Sequence, residues 1–280
     1  MGFFSEILQY KFLANATLAC LLCGIACGLV GTYVVCRRLV VLSGGITHAS
    51  FGGIGMAYYL GADPIAGALL FAVASALGIE ATSSGKRIRE DSAIGLIWSL
   101  GMALGIIFIY LTPGYAPNLM SFLFGNILSV TSADLLWMGA VDAAIVAGFA
   151  LFYRPILYVA FDRDYSRSQN MPTRLVSYAM AALVAVTIVM SIRVAGIVLL
   201  ISLLTIPVTI VNTFTKSFRT LAPAAAAVAV AGNLAGLALS YNFEVSPGAA
   251  IIFTLTVTLI LVKLLTLLVK KRRRADENHL

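Results

Sequence analysis

Nine apolar runs, near 13–36, 40–60, 64–82, 92–112, 133–153, 174–192, 195–214, 220–240 and 248–269, constrain this chain more than any motif in it. Most are close to the ~20 residues that a helix needs to cross about 30 Å of hydrocarbon. Backbone groups inside a bilayer must be satisfied within the segment or around a closed barrel. Barrel strands would be about 10 residues long with strict alternation. These runs are longer and show no alternation, so the expected fold class is an all-α polytopic membrane protein. Composition agrees: 60% of residues are hydrophobic and 11% charged. Soluble domains carry roughly 45–50% apolar and about 25% charged residues. The connections between runs are short, which predicts one transmembrane domain over 1–270 and a basic tail over 271–280.

The net charge of +7 does not point to nucleic acid, because the positive residues sit in short clusters between apolar runs. Arg37 and Arg38 follow the first run, Lys86, Arg87 and Arg89 the third, and Arg154 to Arg174 the fifth. Lys216 and Arg219 follow the seventh, and Lys270 to Arg274 the last. Every cluster therefore follows an odd run. The positive-inside rule then puts the N-terminus outside and the C-terminus in the cytoplasm. Arg193 is the exception, at a short outward turn between the sixth and seventh runs. The first twelve residues hold one Lys and no small-residue cleavage site, and do not read as a cleaved signal peptide. Segment 119–130, with Gly125-Asn126 at its middle, is too short to span and reads as a re-entrant or interfacial helix packed on protein.

His48 lies ten residues past Arg38, or ~15 Å into the bilayer on a helix. An ionisable side chain at that depth is a functional candidate, against the plainer reading of a neutral His bonded to a neighbouring helix. Residues 43–55 hold five glycines and three hydroxyls, Ser43, Thr47 and Ser50. Such small residues let helix backbones approach closely or let a helix break open toward an ion. Asp142 is the other intramembrane ionisable group, and it suits either a pathway or a water contact near the interface. Glu80 and Asp134 sit at run ends and need no special role. His279 lies in the tail. Cys20, Cys23 and Cys27 share one helix face, as a soft-metal site or as small apolar filler. Gly85-Lys86 fails as a phosphate-binding loop, because Glu80 and Arg87 stand where Gly and Ser or Thr belong. Any ATPase must be another chain.

Taken in order, RRLVVLSGGITHASFGGIG, DSAIGLIWSLGMALGII, FLFGNILSVTSADL, FDRDYSRSQNMPTRLVSY, VAGIVLLISLLTIPV and EVSPGAAIIF resemble the ABC-3 family, the permeases of bacterial zinc, manganese and iron ABC importers. The resemblance implies a fold similar to the cobalamin and siderophore importers (type II ABC importers) in the bacterial inner membrane. It implies a homodimer around a central pathway, two ATP-binding cassette subunits that bind the ATP, and an extracytoplasmic metal-binding protein. No permanently bound cofactor is expected; the divalent metal ion is cargo. The metal ligand would be His48, and Gly44, Thr47, Ser50, Asn126 and Asp142 would line the pathway. The cytoplasmic coupling segment, about 161–173, would meet the ATPase through Asp162, Asp164, Arg167, Asn170 and Pro172. Two positions depart from the family. Asn170 stands where Gly is usual, a mild change because Asn tolerates positive φ. Gly44 stands where the family has Asp, which removes a carboxylate. Imidazole without carboxylate leans towards Zn²⁺ over Mn²⁺. A proton- or sodium-coupled secondary transporter is the alternative, with Asp142 as its carboxylate. An enzyme has no nucleophile–base set or paired acids to support it.

Overall fold

The computed structural model describes residues 6–7, 9–84, 89–113 and 119–277. Gly85-Lys86, Arg87 and His279 lie outside them. Among the described residues the main helices are, in order, α1 (Lys11–Cys36), α2 (Val40–Tyr59), α3 (Pro64–Ser84), α4 (Glu90–Leu111), α5 (Leu119–Phe124), α6 (Ser132–Leu151), α7 (Tyr153–Phe161), α8 (Arg163–Ser168), α9 (Thr173–Val211), α10 (Phe218–Phe243) and α11 (Pro247–Glu277). A single 3-10 turn, Ile127–Ser129, lies between α5 and α6. Among the described residues no strand occurs, as the absence of alternation requires. Among the described residues eight helices are long and apolar enough to cross a membrane. The apolar run at 195–214 contains a shorter helix, Leu200–Val211, joined to the span Thr173–Ile192 within α9.

That joint reverses the chain. Gly196 has φ 73° and ψ 168°, outside any helix. Ser177, before it, accepts a hydrogen bond from Arg163, which also holds Glu80 near the end of α3. Val208 and Val211, after it, pack with Val35 and Cys36 at the end of α1. Both ends of α9 therefore reach the same face of the bundle. The turn expected at Arg193 sits at Gly196 instead. A reversal needs a residue free of the Cβ clash at positive φ, and Gly196 is the glycine in that stretch.

α5 and the 3-10 turn cover this reversal. Gly125 also has positive φ, 75°, and a Cβ on it would lie 2.7 Å from the Gly196 nitrogen. The two glycines thus bring irregular backbone together inside protein, which is where a membrane tolerates it. The segment too short to span packs on α9, as a re-entrant piece must.

Pair contacts fix the other directions. α2 and α4 run parallel through Gly45 with Ile94 and Gly55 with Gly105, while α3 returns antiparallel through Gly53 and Gly67. α10 opposes α1, with Gly24 on Val230 and Gly28 on Ala226. α11 opposes α10, with Gly232 on Leu255 and Gly236 on Ile251. Asn15 Nδ2 donates to the Val130 carbonyl at 3.0 Å, so α6 starts where α1 starts. One end of the bundle therefore gathers the ends of α1, α3, α6 and α11, the starts of α2, α4, α9 and α10, and all of α7 and α8. Phe218 of α10 touches Tyr153 and Phe161 of α7 there, at 5.9 and 6.2 Å between ring centres. Arg37, Arg38, Arg89, Arg154, Arg163, Arg167, Arg174, Lys216 and Arg219 also lie at this basic end.

The core is centred on α1, where Ala16, Cys20, Cys23 and Cys27 are fully buried. Cys20 and Asn233 clamp α1 to α10: the Asn233 amide donates to the Cys20 carbonyl at 2.9 Å, and the thiol points back to the Asn233 carbonyl at 3.7 Å. α11 is the opposite case, with Phe253, Ile260, Leu261, Leu264 and Leu268 exposed to what would be lipid.

Candidate functional site

α2 stays helical through its five glycines. An interior glycine costs a helix roughly 1 kcal/mol relative to Ala, and close packing offsets that here. A Cβ on Gly52 would lie 2.7 Å from the Gly101 carbonyl oxygen of α4. A Cβ on Gly101 would lie 2.6 Å from Ala49 Cα. Backbone-to-backbone approach is thus what the glycines provide, and α2 does not break open. Thr47 and Ser50 are fully buried, and their hydroxyls donate to the carbonyls of Ser43 and Thr47 at 2.6 Å each.

His48 is half-buried at the edge of this α2–α4 seam. Its ring stacks on Trp98, with centroids 4.5 Å apart and planes 3° from parallel. The imidazole is therefore held by a face contact with α4. Its ring nitrogens, which lie in the ring plane, stay clear of the stack. Gly44 sits one turn earlier, on the face His48 occupies. A Cβ there would meet Ile201 Cδ1 of α9 at 2.9 Å.

The other intramembrane candidates lie elsewhere. Asp142 is buried on α6, and neither carboxylate oxygen has a hydrogen-bond partner. α6 packs on α1 and makes no substantial contact with α2, so Asp142 does not join His48. Cys27 bonds Ser191 at 3.3 Å and lies 3.9 Å from Cys23. Among the described residues no group of three or more His, Cys, Asp or Glu could hold a metal ion. Asn126 is exposed at the end opposite the basic face. It lines a cavity of about 330 Å³ with Tyr58, Pro64, Ile65, Phe122, Ser129 and Ile192.

At the basic end, 161–173 holds the six-residue helix α8, Arg163–Ser168, with defined caps. Asp162 Oδ1 accepts from the backbone N–H groups of Asp164 and Tyr165, both at 2.9 Å, and starts α8. Asp164 and Arg167 form an exposed ion pair at 3.3 Å. The helix ends in a Schellman motif. Asn170 N–H donates to Arg167 O at 3.0 Å and Met171 N–H to Ser166 O at 3.1 Å. Asn170 takes φ 55°, the left-handed geometry expected where the family has Gly. Pro172 caps the start of α9.

Three features are not legible in the sequence. Trp98 carried no signal that it would meet His48. Glu80, expected to be idle, is buried and accepts from Arg163 Nη2 at 2.6 Å. Asp134, read the same way, forms a capping box with Thr131.

The profile of the ABC 3 transport family matches residues 9–266. An uncharacterized membrane protein of Synechocystis sp. is 37% identical over 252 residues, covering 90% of each chain. The manganese transport system membrane protein MntC of Halalkalibacterium halodurans is 32% identical over 250 residues, covering 89% of this chain and 86% of its own. Among solved structures, PsaBC from Streptococcus pneumoniae in complex with Fab matches at TM-score 0.83 and 27% identity, over 93% of this chain and 94% of that one. The chain belongs to the ABC 3 transport family.

Proposed function

We propose that this chain is the membrane permease of an ATP-driven divalent metal importer, with Zn²⁺ as cargo ahead of Mn²⁺ or Fe²⁺. The observation that carries the reading is His48: a mid-span imidazole, half-buried, with one face fixed by Trp98 and its nitrogens left for a ligand. Two copies would pair so that the two α2–α4 edges flank one pathway and bring two His48 rings to the same axis. A metal ion would meet imidazole there, with Gly44, Thr47 and Ser50 shaping the passage. His48 without a carboxylate suits a borderline-soft ion better than an oxygen-seeking one. The manganese named for the Halalkalibacterium relative makes Mn²⁺ the leading competitor.

Two ATP-binding cassette subunits would dock on α8 and Asn170–Pro172 at the basic end, which faces the cytoplasm in this reading. The extracytoplasmic delivery protein would meet the opposite end, where Asn126 lines its cavity. His48→Ala in the assembled complex should lower metal uptake by about tenfold, in the range of lost ligand effects, with membrane insertion unchanged. Metal-stimulated ATPase activity with Zn²⁺, Mn²⁺ and Fe²⁺ measures the preference. Unchanged uptake of all three ions by His48→Ala would reduce His48 to packing. Uptake that persists without the ATPase would favour a proton- or sodium-coupled carrier using Asp142.

A further inference from the structure

α8 is small and mostly solvated. Of its six residues only Ser166 is buried, while Tyr165 is 49% exposed and the Asp164 side chain 92% exposed. Tyr165 meets Tyr158 of α7 edge-on, with ring centroids 5.8 Å apart. The tie from α8 to the membrane spans is made by another side chain. Arg163, the first residue of α8, reaches into the bundle and donates from Nη2 to Glu80 Oε1 at 2.6 Å and to Ser177 Oγ at 2.9 Å. Glu80 belongs to α3 and Ser177 to α9, so one nitrogen holds two spans. The Glu80 side chain is 10% exposed and that of Arg163 27%. Beside them, the Tyr33 hydroxyl of α1 accepts from Arg37 Nη1 at 3.3 Å.

The setting makes this pair different from the Asp164–Arg167 pair on the surface of α8. Exposed pairs are screened and hold little. A pair removed from water cannot be opened freely, because separating it strands a buried charge. Nor is such a pair a good source of net stability compared with apolar packing, and its better attested use is to specify one arrangement over another. Displacing α8 by 1–2 Å, the usual scale of a helix shift, would carry both contacts beyond bonding distance unless α3 and α9 followed.

We propose that the Arg163–Glu80–Ser177 cluster is the mechanical link that makes α3 and α9 follow α8, so that Arg163 and Glu80 are positioning residues of the transport cycle. The link rests on the reading that α8 meets the ATPase subunits. α9 carries the movement furthest, since its returning half bears Ile201 against Gly44 beneath His48. The connection from the docking face to the pathway then runs through one span and its reversal.

The test uses the whole complex, with ATPase subunits and delivery protein, in proteoliposomes. Three quantities are read: co-purification with the ATPase, ATP hydrolysis, and metal moved per ATP. Glu80→Gln should leave assembly and hydrolysis in place and lower metal moved per ATP by about tenfold, within the usual range of coupling between sites. Arg163→Lys, which keeps the charge but loses the planar fork, should do the same and serves if Glu80→Gln does not insert. Exchanging the charges, Glu80→Arg with Arg163→Glu, should restore part of the ratio, which a merely structural defect would not allow. A wild-type ratio in whichever single variant assembles overturns the link. Failure of the unaltered chain to bind any ATPase would instead overturn the docking reading on which it rests.

Discussion

At the scale of single residues, position 44 would decide what His48 can offer an ion in the proposed reading. His48 is held by a stack on Trp98 rather than by a hydrogen bond to one of its nitrogens. An imidazole fixed in this way leaves the in-plane lone pair of its unprotonated nitrogen for a ligand, and the absence of a carboxylate at Gly44 leaves it as the sole candidate ligand on its face. Gly44→Asp should therefore shift the metal preference towards Mn²⁺, which favours oxygen donors. The new Cβ would lie 2.9 Å from Ile201 Cδ1, the far end of a flexible side chain, so a rotamer change in Ile201 can admit it. Competition between Mn²⁺ and Zn²⁺ in uptake by the assembled transporter measures the shift. An unaltered ratio would mean that the ion does not dwell beside α2. The place of His48 along its span is legible in the sequence, since it follows from counting residues past Arg38. Trp98 was not, because the stack depends on which spans pair, and nothing in either string encodes that α2 and α4 run side by side.

Among the elements, the joint between Gly125 and Gly196 is where the fold is least forgiving. Both residues hold positive φ, and their backbones touch without any side chain between them. Gly125→Ala meets two obstacles: left-handed geometry costs an L-residue about 1–2 kcal/mol, and the new Cβ would stand 2.7 Å from the Gly196 nitrogen. Backbone on both sides cannot yield as a side-chain tip can. The variant should lose at least ~2 kcal/mol of stability, read as a fall in the melting temperature of the detergent-solubilised protein. Gly139→Ala is the control, because open space surrounds its Cβ position and α6 should gain up to ~1 kcal/mol from helix propensity. Equal melting temperatures for the two variants would contradict the joint. Two parts of this joint are legible in the sequence: 119–130 is too short to span, and a turn falls near Arg193. That Gly125 and Gly196 form one structure is not, because a contact between residues 71 apart leaves no local pattern. Asn170 shows the reverse situation: a helix end has strictly local chemistry, so its positive φ could be anticipated from residue type. The Arg163–Glu80 pair, 83 residues apart, could not.

For the whole molecule, the number of passes decides the orientation of the ends. Eight spans long enough to cross would leave both termini on one side. The course of α9 changes the parity. Its first half rises from Ser177 at the basic end, and after Gly196 its second half comes back to Val208 and Val211 beside Val35 and Cys36. The returning helix Leu200–Val211 has too few residues to span hydrocarbon alone, yet α5 and the 3-10 turn fill the depth above the reversal. Counted with the returning helix, the proposed reading has nine passes, and an odd number would put the termini on opposite sides. In the proposed reading the basic end, with Arg37, Arg38, Arg154, Arg163, Arg167 and Arg174, would face the cytoplasm by the positive-inside rule. α11 ends there with Lys270 and Lys271, whereas α1 begins at the other face. A fluorescent protein fused to the C-terminus should therefore mature and fluoresce in the cytoplasm. An epitope tag at the N-terminus should be reached by antibody in intact spheroplasts. If both ends are protected, α9 fails to reverse fully and the link from α8 to the pathway loses its geometry. If the tag is exposed and the fusion is bright, the docking face, the reversal and His48 stand in the order that an importer needs.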